Sequence, residues 1–371
     1  MKRFVLRKHT SILRHLHAPA FRKGINLLAK TLIIGLLAWV LYRQRIAGQD
    51  VQAMYRHFVA GLQTAHAGWL GLAILLMPIN WLLESLKCQV FTRSFTQLTV
   101  WQHLRAVLAG VTFSLFTPNR LGDYLGRLLV IPEAHKGQVL VATLAAGYVQ
   151  LIVLLVLGWL GALYFLPTFT ALAWSTLAPF VFVGLGGTIL LIILLLQVGQ
   201  LLLFVKKWPR IQRMAWVRHS INVARSYDRR QITTALGWAV LRYSVYSVQY
   251  YCMLQCTGLD LAAAPALAGI ATVFLLQTSV PLPPALGLLA RGEIALFVWG
   301  VFGANDLSVL TASYGLFLLN LLLPGLWGLT TVIRINLLKP SDNENQPVPL
   351  RSNSLDADAT DGADPTQREY A

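Results

Sequence analysis

Arg120, Asp123 and Arg127 fall at spacings of three and four residues within the stretch Pro118-Asn119-Arg120-Leu121-Gly122-Asp123-Tyr124-Leu125-Gly126-Arg127. On a helix such residues share one face. Two guanidinium forks with a carboxylate between them suit a phosphate, because each fork matches two of its oxygens and Asp123 holds the arginines by ion pairing. A helix starting after Pro118 adds free N–H groups and a favourable dipole for an anion. The same spacing also serves residues that snorkel to lipid headgroups and set orientation.

A second stretch, Pro281-Leu282-Pro283-Pro284-Ala285-Leu286-Gly287-Leu288-Leu289-Ala290-Arg291-Gly292-Glu293, repeats the theme of an Arg and a carboxylate behind a Pro/Gly break. Arg242 stands about ten residues into the apolar segment 232–254, about 15 Å deep. With Tyr246 and Gln249 it forms a helical stripe. A charge at that depth is functional or internally paired, and the partner open to it is Glu84, the only acid in the segment 67–86. Asn80, Glu84 and Lys87 form a shallower stripe that reads as packing or an interface anchor.

The elements that must position these residues are membrane helices. Of 371 residues, 56% are hydrophobic and only 12% charged, against roughly a quarter charged in soluble domains. Apolar segments at 25–42, 67–86, 139–166, 177–205, 232–254 and 313–335 can each cover a hydrocarbon core of about 30 Å. Two others, 106–117 and 265–280, are too short to cross and run into the two proline breaks, each followed by another short apolar run.

Charge sets the topology. The chain carries 31 Lys and Arg against 15 Asp and Glu, yet nucleic acid is excluded as a partner because such binding needs a basic face on a water-exposed domain. The first 30 residues hold eight Lys and Arg and no acid, and the loop 206–230 holds eight against Asp228, whereas 167–176 has none. Short basic loops stay in the cytoplasm. Both anchors are satisfied by six full spans if 106–130 enters and leaves from the cytoplasmic side and 265–300 from the outer side. Opposed broken helices in two inverted halves point to a substrate site near the midplane, since lipid offers freed backbone no partner. Two proline-kinked spanning helices are the alternative.

No P-loop, nucleophile elbow or zincin motif is present. A glycosyltransferase using a lipid-linked donor would want a carboxylate pair in the 43–66 loop, which offers only Asp50. Cys88, Cys252 and Cys256 show no zinc or disulfide spacing and read as packing residues. His103 and Arg105 read as interfacial. No metal, cofactor or catalytic residue is expected.

The pattern Pro118, Arg120, Gly122, Asp123 and Arg127, with Pro281, Pro284, Gly287 and Glu293 later, resembles the lysylphosphatidylglycerol synthase transmembrane-region family of flippase-like membrane proteins. The first acid is Asp where Glu is expected, and the second motif has Leu288-Leu289-Ala290-Arg291 in place of a shorter glycine-rich link. The resemblance implies a domain that in some relatives moves an aminoacylated or other phospholipid between leaflets. Only 35 residues, most of them polar, follow Asn336, so no soluble aminoacyltransferase domain is expected.

The expectation is an all-α polytopic protein of the cell (inner) membrane, with about six full transmembrane helices and two opposed re-entrant hairpins forming an inverted repeat. Residues 1–24 form a basic cytoplasmic segment, 25–336 the flippase-like domain, and 337–371 an acidic tail, disordered and cytoplasmic. The expected function is translocation of an anionic phospholipid or glycolipid, with an enzyme or accessory subunit of lipid or cell-envelope synthesis as the alternative. The expected partners are membrane lipids with an anionic or glycosylated headgroup, and a separate synthase or glycosyltransferase. The candidate binding residues are Pro118, Arg120, Gly122, Asp123, Arg127, Arg242, Tyr246, Pro281, Pro284, Arg291 and Glu293.

Overall fold

The computed structural model describes residues 56, 59, 67–115, 117, 121–131, 136–197, 200, 221–279 and 284–334. The expected first span at 25–42, most of the 206–230 loop, the tail, and Pro118, Arg120 and Pro281 lie outside them.

Among the described residues every regular element is helical. In chain order these are α1 (Ala67–Thr92), α2 (Val100–Ser114), α3 (Leu121–Val130), α4 (Lys136–Phe169), α5 (Trp174–Leu196), α6 (Arg229–Cys256), α7 (Ala263–Ser279), α8 (Pro284–Gly300), α9 (Asp306–Phe317), a π turn (Leu318–Leu322) and α10 (Leu323–Arg334). Among the described residues four stretches are long and apolar enough to cross a membrane: α1, α4, α5 and the continuous run Asp306–Arg334. The expected segment 177–205 is helical only as far as Leu196 in α5. Segment 232–254 lies within α6, whose 28 residues reach about 42 Å. Its Arg, Tyr and Gln residues make it more polar than the other four, and it packs most extensively against α1.

Local sequence explains the ends and irregularities. Thr99 caps α2 and Asp228 caps α6, each through a capping box with the Gln three residues on. In the last span Pro324 has no N–H to give, and its ring would clash with the carbonyl four residues back in an α-helix. The preceding turn widens to π, with the Leu323 N–H bonding to the Leu318 carbonyl.

α2 and α3 form a hairpin held backbone to backbone. A Cβ at Gly126 would stand 2.6 Å from the Gly110 Cα, and one at Gly122 would meet the Phe113 carbonyl. Small residues permit such approaches, which let membrane helices associate. α2 then lies on α10, where Thr112 Oγ1 donates to the Gly325 carbonyl at 2.7 Å and Gly328 faces the Leu108 carbonyl. The second hairpin, α7–α8, rests in the same fashion on α4, with Gly158 against Leu275 and Gly161 against Ala271.

Two larger apolar cores result among the described residues, beside a small cluster of Ala106, Ile131 and Val139. One gathers Tyr250, Phe274, Trp299 and Leu316, and the other gathers Phe91, Val107, Val149 and Ala239.

Candidate functional site: a buried ion network

Where α1, α3, α4 and α6 meet beside the second core, five charged side chains form one connected network. Glu84 on α1 is its hub. The Glu84 carboxylate meets Lys87 Nζ at 2.7 Å, an Arg127 terminal nitrogen at 3.0 Å and an Arg242 terminal nitrogen at 3.1 Å. Glu84, Lys87 and Arg127 are all buried. Arg242 keeps 16% of its side chain exposed and lies over the Trp81 ring, 5.5 Å from its centroid.

Arg127 is engaged on every side. Its Nε donates to Asp123 Oδ1 at 3.0 Å and one terminal nitrogen to Oδ2 at 2.8 Å, a two-point pairing one helical turn apart. Its other terminal nitrogen donates to Cys88 Sγ at 2.7 Å. Gln150 on α4 closes the network, its Oε1 accepting from Lys87 at 2.9 Å and from Arg242 at 3.4 Å. A partner for each buried charge is what low polarity demands, since an uncompensated charge there is strongly destabilising.

Of the candidates read from sequence, Asp123, Arg127 and Arg242 come together here. Arg127 was expected to present its fork to a phosphate. Here its guanidinium is turned inward and filled by protein groups, because burial leaves each of its donors only protein to bond with. Gly122 serves the α2–α3 crossing, its N–H bonding to Thr117 Oγ1 at 2.6 Å. Tyr246 stacks on Phe274 of α7, with ring centroids 5.0 Å apart. Arg291 donates to Gln277 Oε1 at 3.1 Å, tying α8 to α7, while Glu293 is exposed. Among the described residues no ion pair joins Arg291 or Glu293 to the network. Pro284 opens α8.

Sequence reasoning offered Glu84 as a partner for Arg242, a pair the structure contains, but not as the hub of a network. The stripe of Asn80, Glu84 and Lys87 read as packing or an interface anchor, and Gln150 and Cys88 drew no notice as polar partners. Glu84 and Lys87 are three residues apart, on one helix face, in an otherwise apolar segment; that pairing was the available signal. His103 is also misread as interfacial. It is 3% exposed, with Nδ1 donating to the Thr99 carbonyl at 3.0 Å and Nε2 2.6 Å from Thr92 Oγ1. It borders a cavity of about 10 Å³ with Cys88, Thr92, Arg127 and Thr143, space for one water. No lipid headgroup fits there.

No group of His, Cys, Asp and Glu that could hold a metal occurs among the described residues.

No curated protein and no solved structure matches the chain. The family model described as the lysylphosphatidylglycerol synthase TM region does match, over residues 26–328. That span contains both hairpins and every member of the ion network. With its apolar helices, this makes the protein a multi-pass integral membrane protein of lipid synthesis or transport. It belongs to the lysylphosphatidylglycerol synthase transmembrane-region family.

Proposed function

We propose that the protein carries an anionic phospholipid or glycolipid between the two leaflets, without itself catalysing a chemical step. The observation that supports this reading most is the buried network of Glu84, Lys87, Asp123, Arg127 and Arg242, assembled from two spanning-length helices, α1 and α6, and one arm of a short hairpin. Ionisable groups within a membrane domain are costly and mark substrate or ion routes. A hairpin arm that contributes to such a network links headgroup recognition to its own position. In this reading the two hairpins are re-entrant from opposite sides, both termini are cytoplasmic, and a separate synthase or glycosyltransferase supplies the lipid.

The experiment is leaflet exchange in liposomes containing the purified protein, with fluorescent phosphatidylglycerol, lysyl-phosphatidylglycerol and polyprenyl-phosphate lipids followed by quenching. Exchange faster than in protein-free liposomes for at least one lipid is expected. Equal rates for all of them would overturn the reading.

A further inference from the structure

The two halves of the chain pack crosswise. α7 of the second hairpin lies on Gly158 and Gly161 of α4, and α2 of the first hairpin lies on Gly325 and Gly328 of α10. Both seats carry one pattern, Gly158-Trp159-Leu160-Gly161 in α4 and Gly325-Leu326-Trp327-Gly328 in α10. Two glycines three residues apart take the hairpin, and the two residues between them are turned away from it.

The seats differ in what covers their other side. On α4 the Trp159 ring fills the notch left by Gly184 of α5, and α5 buries Leu177, Val181 and Thr188 along with it. Tyr148 of α4 adds a hydrogen bond to the Leu191 carbonyl of α5 at 2.7 Å. On α10 the residue in the register of Trp159 is Leu326. It is 38% exposed, and Leu323, Trp327 and Ile333 are exposed beside it. Lipid alone can cover such a face, but the shared register of the two seats favours a helix.

We infer that the apolar segment 25–42 of this chain seats on the Leu323, Leu326, Trp327 and Ile333 face of α10, as α5 seats on α4, with Gly35 over Leu326. This goes beyond the translocator reading and does not depend on it. The family match begins at residue 26, so the segment belongs to the same domain as both hairpins. Its 18 residues reach about 27 Å as a helix. Gly35 is its one glycine, and Leu28, Leu32 and Trp39 stand at the same offsets from it as Leu177, Val181 and Thr188 do from Gly184. The topology read from the basic loops makes this segment and the last span antiparallel, as α4 and α5 are. The 24 residues between 42 and 67 can extend to about 80 Å, ample to rejoin α1. α10 is thereby held on two sides, as α4 is.

The test is cross-linking of the full chain in membranes, with the three native cysteines replaced and a protease site added in the 43–66 loop. A methanethiosulfonate cross-linker is chosen to span the about 8–10 Å between packed helices. Gly35→Cys with Leu326→Cys should cross-link, and after proteolysis the two fragments should migrate together until reductant parts them. Gly35→Cys with Gly187→Cys, on the open side of α5, should yield separate fragments. Separation for the first pair, or retention for the second, would overturn the proposal. So would a product of doubled mass before proteolysis, which would put a second copy of the chain on this face.

Because Cys88 accepts from Arg127, a second measurement keeps the native cysteines. Leu326 is replaced by photoreactive benzoylphenylalanine in the otherwise unchanged chain, and the adducts are mapped by peptide mass. Adducts on 25–42 are expected; adducts on lipid alone, or on another segment instead, would remove the segment from this face.

Discussion

Asn80 on α1 donates to Asn320 Oδ1 in the π turn at 2.9 Å, across 240 positions of sequence. Both amides are buried, so the pair ties the first described span to the last at the point where Pro324 has forced the helix to widen. Asn320 also donates to the Leu316 carbonyl at 3.4 Å. Replacing Asn320 by Leu should lower stability by about 1 kcal/mol, and replacing both residues by Leu should cost less than the two single changes combined. Thermal unfolding in detergent, run as a double-mutant cycle, reads the coupling.

Glu84 and Asp123 should differ sharply when neutralised. Glu84→Gln removes the shared partner of three buried cations and should cost about 3 kcal/mol or more. Asp123 is 24% exposed and among the described residues pairs with Arg127 alone, and Arg127 keeps Glu84 when Asp123 becomes Asn, so Asp123→Asn should cost clearly less. Denaturation midpoints of the two variants decide the order, and the reverse order would remove Glu84 from the hub.

Steric position separates the glycines. Gly126→Ala drives a methyl group into the Ala109 carbonyl and should destabilise by about 1–3 kcal/mol. Gly187→Ala meets nothing within 4 Å and should be neutral or slightly stabilising, since Ala is the better helix former. Melting temperatures of the two variants, side by side, provide the comparison.

Orientation can be read with impermeant thiol reagents. Gln97 lies in the exposed turn between α1 and α2, and Leu172 in the one between α4 and α5. In a background with the three native cysteines replaced, Gln97→Cys should label only from the cytoplasmic face and Leu172→Cys only from the outside. Labelling of both from one face would reject the topology derived from the basic loops.

Much of the helical plan is legible in sequence, because runs of apolar residues and proline breaks are local properties. The first arms of the two hairpins, α2 and α7, lie close to the short segments 106–117 and 265–280. Asp123 with Arg127 is likewise local, a pairing one turn apart. The Arg242–Glu84 pair was one of two roles open to Arg242, since Glu84 was the only acid in its segment. What spacing does not carry is convergence: nothing along α1 tells that Glu84 and Lys87 will meet α3, α4 and α6 at one point. The π turn is hidden for a similar reason, as the run through Asn320 and Pro324 reads as one continuous apolar helix.

The glycine crossing of α2 and α3 has a mechanical consequence. With Gly110, Gly122 and Gly126 bringing backbone against backbone, no layer of side chains is left to act as a bearing between the arms. Thr112 fastens the same piece to α10. Any displacement of this hairpin therefore takes α10 along as one lever, and the seam free to part is the one sealed by Glu84 and Arg127.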